Sequence, residues 1–105
     1  MDDKEFNRLA EAALAGIEAA LEASNGDLDF ELKASGVLEI EFADGSKIIV
    51  NRHGVAKEIW VAAKSGGFHF RHVGYGWVDT RDGADLFARL SALASLQAGE
   101  PISLE

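Results

Sequence analysis

The fold is decided by residues 2–32, DDKEFNRLAEAALAGIEAALEASNGDLDFEL, in which a helical pattern gives way to a strand pattern. Apolar residues recur at three- and four-residue steps from Phe6 to Leu21, which is the period of a helix with one buried stripe. Residues 27–32 then alternate acidic and apolar side chains, as a half-buried strand does. We therefore predict an amphipathic helix over 3–23 and a strand over about 27–33.

Carboxylates lie on both of these elements. Glu11, Glu18 and Glu22 are spaced seven and four residues apart, which at about 100° per residue places them in one arc beside the apolar stripe. The outward positions of the first strand are also acidic: Asp27, Asp29 and Glu31. The two sets can meet only where helix and sheet share an edge, so we predict that the first strand is an edge strand.

Length and composition limit the class of protein. A chain of 105 residues with 48% hydrophobic residues predicts one globular domain with a single core. No apolar run approaches the 18–20 or so residues of a membrane span. The sequence has no cysteine, which excludes disulfides, thiolate metal ligands and thiol nucleophiles. The acidic start lacks the basic residues of a signal peptide, and we expect a cytoplasmic protein.

The negative charge is concentrated in the first part of the chain. Residues 1–44 hold twelve acidic and three basic side chains, a net charge of −9, whereas residues 45–105 hold six and seven, a net charge of +1. Nucleic-acid binding requires a basic surface, and this distribution argues against it. It favours cations or a basic protein surface as the partner.

Alternating patterns predict five further strands, over about 37–43, 46–52, 58–63 and 68–73 and from 77 onwards. Asp44 and Gly45 predict a two-residue hairpin, and Asp82 is the predicted N-cap of a second helix that Gly99 ends. Short turns between strands favour an antiparallel meander. The predicted fold class is α+β, a two-layer α-β sandwich. A six-stranded antiparallel sheet carries the N- and C-terminal helices on one face and leaves the other face bare.

The bare face of the predicted sheet offers a second surface. Trp60 lies on it next to Asn51 and His69, and an exposed tryptophan is typical of a protein interface. The opposite pleat would place Trp60 in the core, and the pattern leaves both interpretations open. His69 and His72 are three residues apart and point to opposite faces, so no histidine spacing suggests metal ligands.

No enzyme signature is present in the sequence, neither a Ser-His-Asp arrangement, nor a phosphate loop, nor a dinucleotide fingerprint. We therefore expect a protein that is not an enzyme. Exposed carboxylates are oxygen ligands that suit hard cations such as iron, manganese, calcium and magnesium, and they bind them weakly. The alternative is a solvated acidic face that keeps the protein soluble.

Over its whole length the sequence resembles the bacterial frataxin (CyaY) family. The matching stretches are Glu5-Phe6 with Arg8-Leu9-Ala10, Ile17-Glu18, Gly26-Asp27 with Asp29, Gly45-Ser46-Lys47-Ile48-Ile49 with Asn51-Arg52, Ile59-Trp60-Val61-Ala62, Gly66-Gly67-Phe68-His69-Phe70, Trp77, and Gln97-Ala98-Gly99-Glu100. The resemblance implies one frataxin-like domain over residues 1–105. It also implies a regulator or iron chaperone of iron-sulfur cluster assembly. Such a protein docks on a cysteine desulfurase through an acidic ridge, formed by acidic residues of the first helix and the first strand.

The resemblance also implies site residues. The implied iron ligands are Asp3, Glu5, Glu11, Glu18, Glu22, Asp27, Asp29 and Glu31. The implied partner-binding residues are Glu18, Glu22, Asn51 and Trp60, for the desulfurase and the iron-sulfur scaffold machinery. The implied protein is a monomer when it is metal-free, with no nucleic-acid or membrane partner. The alternative function is a weak iron carrier or store, in which metal delivery is the main role.

Overall fold

The computed structural model describes residues 1–24 and 28–105. In these residues it has two helices and six strands. Their bounds are α1 Asp3–Ala23, β1 Asp29–Lys33, β2 Val37–Glu41, β3 Lys47–His53, β4 Glu58–Ala63, β5 Gly66–Val73, β6 Gly76–Asp79 and α2 Leu86–Ala98. The α+β sandwich predicted from the sequence is confirmed, and α1 has the predicted bounds. No helix in the described residues is long and apolar enough to cross a membrane.

The six strands form one antiparallel sheet in the order of the sequence, β1-β2-β3-β4-β5-β6. The predicted edge position of β1 is therefore confirmed, and β6 forms the other edge. Helix α1 lies nearest to β1, and helix α2 lies nearest to β6. The two helices meet where Gly16 of α1 faces Phe87 of α2, so closely that a β-carbon at Gly16 would lie 3.4 Å from the ring. The acidic arc of α1 lies on the other side of that helix, towards β1.

The core lies between the helices and one face of the sheet. Each strand from β2 to β6 buries alternate residues, as the period of two requires. Trp77 is 7% exposed and meets the ring of Phe6 edge-on at 6.1 Å, so it belongs to the core. The largest fully buried side chains are Phe6, Leu14, Ile17, Leu38, Ile40, Ile48, Val50, Ile59, Val61, Phe70, Leu86 and Leu90.

The start of α2 differs from the prediction. Asp82 is not its N-cap, because Gly83 adopts a positive φ of 77° and Asp85 forms an extended bridge with Val78 before the helix begins. The cap is Asp85, whose carboxylate accepts a hydrogen bond from the backbone N–H of Ala88 at 3.1 Å. At the other end Gly99 ends the helix in the left-handed conformation, as predicted. Asn25 and Gly26, either of which suits a left-handed cap for α1, lie outside the described residues.

Two turns also differ from the prediction. The hairpin between β2 and β3 has three loop residues, 43–45, because a backbone bond between Phe42 and Ser46 closes it. In that bond the N–H of Phe42 donates to the carbonyl of Ser46, and the N–H of Gly45 donates to the carbonyl of Phe42. Gly45 has a φ of 85°, which a three-residue hairpin needs at its last loop position. Gly66 and Gly67 begin β5, paired with Ala63 and Ala62, so the turn before β5 is tighter than the predicted strand over 68–73 allows.

The residues after α2 pack back onto the core. Ile102 and Leu104 are 5% and 2% exposed. Their backbone N–H groups donate to the hydroxyls of Ser95 at 2.8 Å and Ser91 at 2.9 Å. Each hydroxyl in turn donates to a helix carbonyl one turn earlier. Two serines of α2 therefore fix the register of the tail.

Candidate functional site

Glu11, Glu18 and Glu22 of α1 lie in one row on the side of the helix that faces β1. Glu11 borders a shallow groove together with Leu32, Lys33 and Arg52, which places this part of the helix over the turn between β1 and β2. Glu18 and Glu22 follow in the same arc further along the helix, because they are spaced seven and four residues apart. The helical pattern predicted this row, and the fold places it beside the edge strand.

Basic residues from the sheet and its loops neutralise two of the predicted ligands. Asp3 forms an ion pair with Lys57, and Glu11 forms one with Arg52 at 3.0 Å. The hydrogen bond from the Lys57 ammonium, together with its charge, lowers the pKa of the Asp3 carboxyl. In the part of the chain that the structure describes, Glu18 and Glu22 form no ion pair, and neither does Glu5. The second half of α1 therefore keeps its charge uncompensated.

The acidic residues of β1 lie on the bare face of the sheet and meet further carboxylates there. Asp29 is opposite Glu41 and Glu31 is opposite Glu39, so two pairs of like charges face each other across the strands. Lys33 and Lys47 both bind Glu39, and the hydrogen bond from Lys33 is the main cause that lowers the pKa of Glu39.

Glu39 and Glu41 are not among the site residues predicted from the sequence. Their positions opposite Asp29 and Glu31 follow only from the pairing of β2 with β1. The fold thus brings Asp29 and Glu31 together with Glu39 and Glu41 and leaves the acids of α1 in a separate row. The predicted ligand Asp27 lies outside the described residues.

These carboxylates are a donor set that fits a hard cation. All are oxygen ligands, and Glu11, Glu22, Asp29 and Glu31 are exposed. Within the described residues no three acidic or histidine side chains converge on a common point. An iron ion bound at such exposed side chains would keep much of its coordination sphere in water, which predicts weak binding.

Trp60 lies on the bare face, so the interpretation that placed it in the core is wrong. It is half-buried between two parallel imidazoles, with ring centroids 3.8 Å from His53 and 4.5 Å from His69, each pair inclined by 9°. Its indole N–H donates to Glu58 at 2.8 Å. Asn51 is directly opposite it on β3. Both faces of the indole ring are thus covered by the protein's own side chains, and its edge faces outwards.

Sequence reasoning identified His69 and Asn51 as neighbours of Trp60 but not His53. His53 is diagonal to Trp60, two residues beyond Asn51 on the same face of β3, a relation that requires the strand register. His72 lies on the opposite face from His69, as predicted, and contacts Trp77 edge-on at 5.2 Å.

The ion pair between Asp3 and Lys57 can be tested by removing the charge of the lysine. Replacing Lys57 by methionine is expected to raise the pKa of Asp3 towards its ordinary value, because the hydrogen bond and the charge that favour the carboxylate are both removed. An NMR titration of the side-chain carboxyl groups measures this directly. Lys64→Met is the matched control, since Lys64 pairs with Asp44 instead and should leave Asp3 unchanged. An unchanged Asp3 pKa in the Lys57→Met variant would contradict the ion pair.

Comparisons with known proteins agree on one family. A family model described as a frataxin-like domain matches residues 1–100. The chain is 71% identical over 104 residues to the iron-sulfur cluster assembly protein CyaY of Dechloromonas aromatica, covering 99% of both chains. It is 57% identical over 109 residues to the protein of the same name from a Janthinobacterium strain, covering 100% of this chain and 97% of the relative.

Solved structures show the same fold. Frataxin from Psychromonas ingrahamii matches with a TM-score of 0.90 and 32% identity over 98% of this chain and 97% of that one. Trimeric yeast frataxin, complexed with ferrous iron, matches with a TM-score of 0.68 and 24% identity over 95% and 88%, a likeness of fold alone. The matched residues span nearly all of the two helices and six strands. This chain belongs to the frataxin-like family.

Proposed function

We propose that this chain, as a single domain over residues 1–105, is a non-enzymatic assembly factor of the iron-sulfur cluster machinery. In this proposal it docks on a basic surface of a cysteine desulfurase and modulates that enzyme. The docking surface is an acidic edge, defined as Glu18, Glu22, Asp29 and Glu31. The names of its relatives support the assembly role, and the distribution of charge supports the mode of docking.

The observation that carries the proposal is that no carboxylate of the acidic edge is held in an ion pair. Lys57 and Arg52 form ion pairs with Asp3 and Glu11, whereas the four residues of the edge form none in the described part of the chain. Carboxylates that are not held in an ion pair attract a cationic partner from a distance of about 8–10 Å at physiological salt. Binding should therefore weaken as salt is added.

Ferrous iron is the cargo that the same oxygens would take. Exposed carboxylates bind a hard divalent cation weakly, and weak binding is suited to an ion that is passed on. The yeast frataxin that shares this fold was solved in complex with ferrous iron, which supports iron as the cation. Because docking and iron binding use the same side chains, a basic partner and a cation should compete for the edge.

The bare face around Trp60 is the proposed contact for the iron-sulfur scaffold. Asn51 lies directly opposite Trp60 on β3, on the face where the edge of the indole ring is exposed. The imidazole stack and the bond to Glu58 hold that ring in one orientation. Because the Trp60 side chain is already held in place, it loses little conformational entropy on binding, which favours it as an interface anchor.

The test exchanges charge at the acidic edge. The double variant Glu18→Lys/Glu22→Lys is expected to bind the desulfurase about 10–100-fold more weakly in metal-free buffer, because two attractive exposed contacts become repulsive. The control is Glu100→Lys/Glu105→Lys, on exposed residues after α2. Each glutamate-to-lysine change adds two units of charge, so both double variants move the formal net charge from −8 to −4.

Calorimetry or biolayer interferometry at low and physiological salt gives the affinities, and a parallel Fe²⁺ titration under anaerobic conditions gives the iron uptake. Equal binding of the Glu18→Lys/Glu22→Lys variant and the unmodified protein would overturn the docking proposal. Loss of iron uptake with docking intact would instead favour the iron carrier or store as the main role.

A further inference from the structure

We propose that the open edge of β1 accepts an extended partner segment as an additional strand, and that this segment alternates basic and apolar residues. β1 pairs with β2 on one side only, and no other strand of the described residues lies on its far side. An edge strand leaves alternate backbone N–H and C=O groups unpaired along that side, which a further strand can bind.

The inner side of β1 offers apolar contacts to such a segment. Leu28, Phe30 and Leu32 face the core but are only half-buried, whereas Leu38 and Ile40 at the matching positions of β2 are fully buried. The difference arises because β2 has neighbours on both sides and β1 has one. Apolar residues of an added strand would cover the exposed part of these three side chains, as β1 covers those of β2.

The outer side of β1 selects basic residues. Asp29 and Glu31 already face the carboxylates of Glu41 and Glu39 on their paired side. Acidic side chains directly opposite one another destabilise a sheet, and opposite charges in register stabilise it. Lysine or arginine residues on an added strand would lie directly across from Asp29 and Glu31 on the side that is still open.

The same charges favour a basic segment over a second copy of this chain. In an antiparallel pair of β1 edges centred on Glu31, the two Glu31 carboxylates would face each other and each Asp29 would face Lys33. The like-charged pair opposes self-association, whereas a basic segment meets both carboxylates with the opposite charge. The edge therefore fits a strand of opposite charge better than its own copy.

The experiment uses the full chain and a short synthetic peptide of alternating lysine and valine, long enough to span β1. Binding is followed by amide chemical shifts, and hydrogen exchange is measured on the same samples. We expect the largest shifts at residues 28–33 and slower exchange of the β1 amides that point away from β2. Two further peptides, N-methylated either at the valines or at the lysines, keep the charge, and the one that loses the backbone donors facing β1 should bind about tenfold or more weakly.

Two variants separate the edge from general charge attraction. Glu31→Lys should weaken binding of the peptide several-fold, whereas Glu100→Lys, with the same change of charge, should not. Equal binding of all three peptides, or shifts confined to α1, would overturn strand addition. A concentration-dependent dimer without peptide, with amide shifts at residues 28–33, would make a second copy the occupant and overturn the proposal. No desulfurase is present in this experiment, so its failure is distinguishable from a failure of desulfurase docking.

Discussion

Replacing Ile102 and Leu104 together by alanine is expected to lower the free energy of unfolding by about 5 kcal/mol. Both side chains are buried, at 5% and 2% exposure, and each truncation removes apolar contacts and leaves a cavity under α2. Domains of this size have total stabilities of about 5–15 kcal/mol, so the variant should be partly or largely unfolded at room temperature. Urea unfolding followed by circular dichroism measures the change.

The control lies in the same segment of the chain. Pro101 and Ser103 alternate with the buried pair and are exposed, so replacing both by alanine should change the stability by less than about 1 kcal/mol. The single variants Ile102→Ala and Leu104→Ala keep a measurable folded baseline if the double variant does not. Similar losses for the exposed and the buried pair would show that the tail is not part of the core.

Replacing Asp79 by alanine is expected to lower the free energy of unfolding by about 3 kcal/mol. Asp79 is 3% exposed and is the buried charged residue of the described chain. Its carboxylate accepts the backbone N–H of Arg81 at 2.8 Å and lies 3.8 Å from the guanidinium groups of Arg81 and Arg89. Alanine leaves that N–H without its acceptor and both guanidinium groups without their shared buried counter-ion.

Asp82 provides the comparison for Asp79. It also pairs with Arg89 and accepts the N–H of Ala84, but it is exposed. Contacts of that kind are screened by water and add little to stability, so Asp82→Ala should shift the urea midpoint far less than Asp79→Ala. Equal shifts would mean that burial of the Asp79 carboxylate is not what stabilises the turn before α2.

The fold could be predicted from the sequence wherever a period was long and unbroken. The apolar stripe from Phe6 to Leu21 fixed the bounds of α1, and alternation fixed which face each strand buries. The errors lie at turns. Asp82 and Asp85 are both good N-cap residues, and only the bridge between Val78 and Asp85 decides between them. The turn after β2 suits several hairpin loops, and the hydrogen bonds of its backbone select the one with three residues.

The candidate site was less predictable, because its charges are decided by long-range contacts. The row of Glu11, Glu18 and Glu22 follows from helical spacing within one element. That Arg52 neutralises Glu11, from 41 residues away, has no local signal in the sequence. The same holds for the two imidazoles that cover Trp60, since the diagonal neighbour on β3 requires the strand register.

The sequential strand order has a kinetic consequence. Every pairing in the sheet is a hairpin, so each closes a short loop at small entropic cost, and the sheet can form by zipping from one turn to the next. The contact of Gly16 with Phe87 instead joins the two helices from opposite ends of the sequence. We therefore expect the helix pair to be the late step of folding, with substitutions at that contact changing the unfolding rate more than the refolding rate.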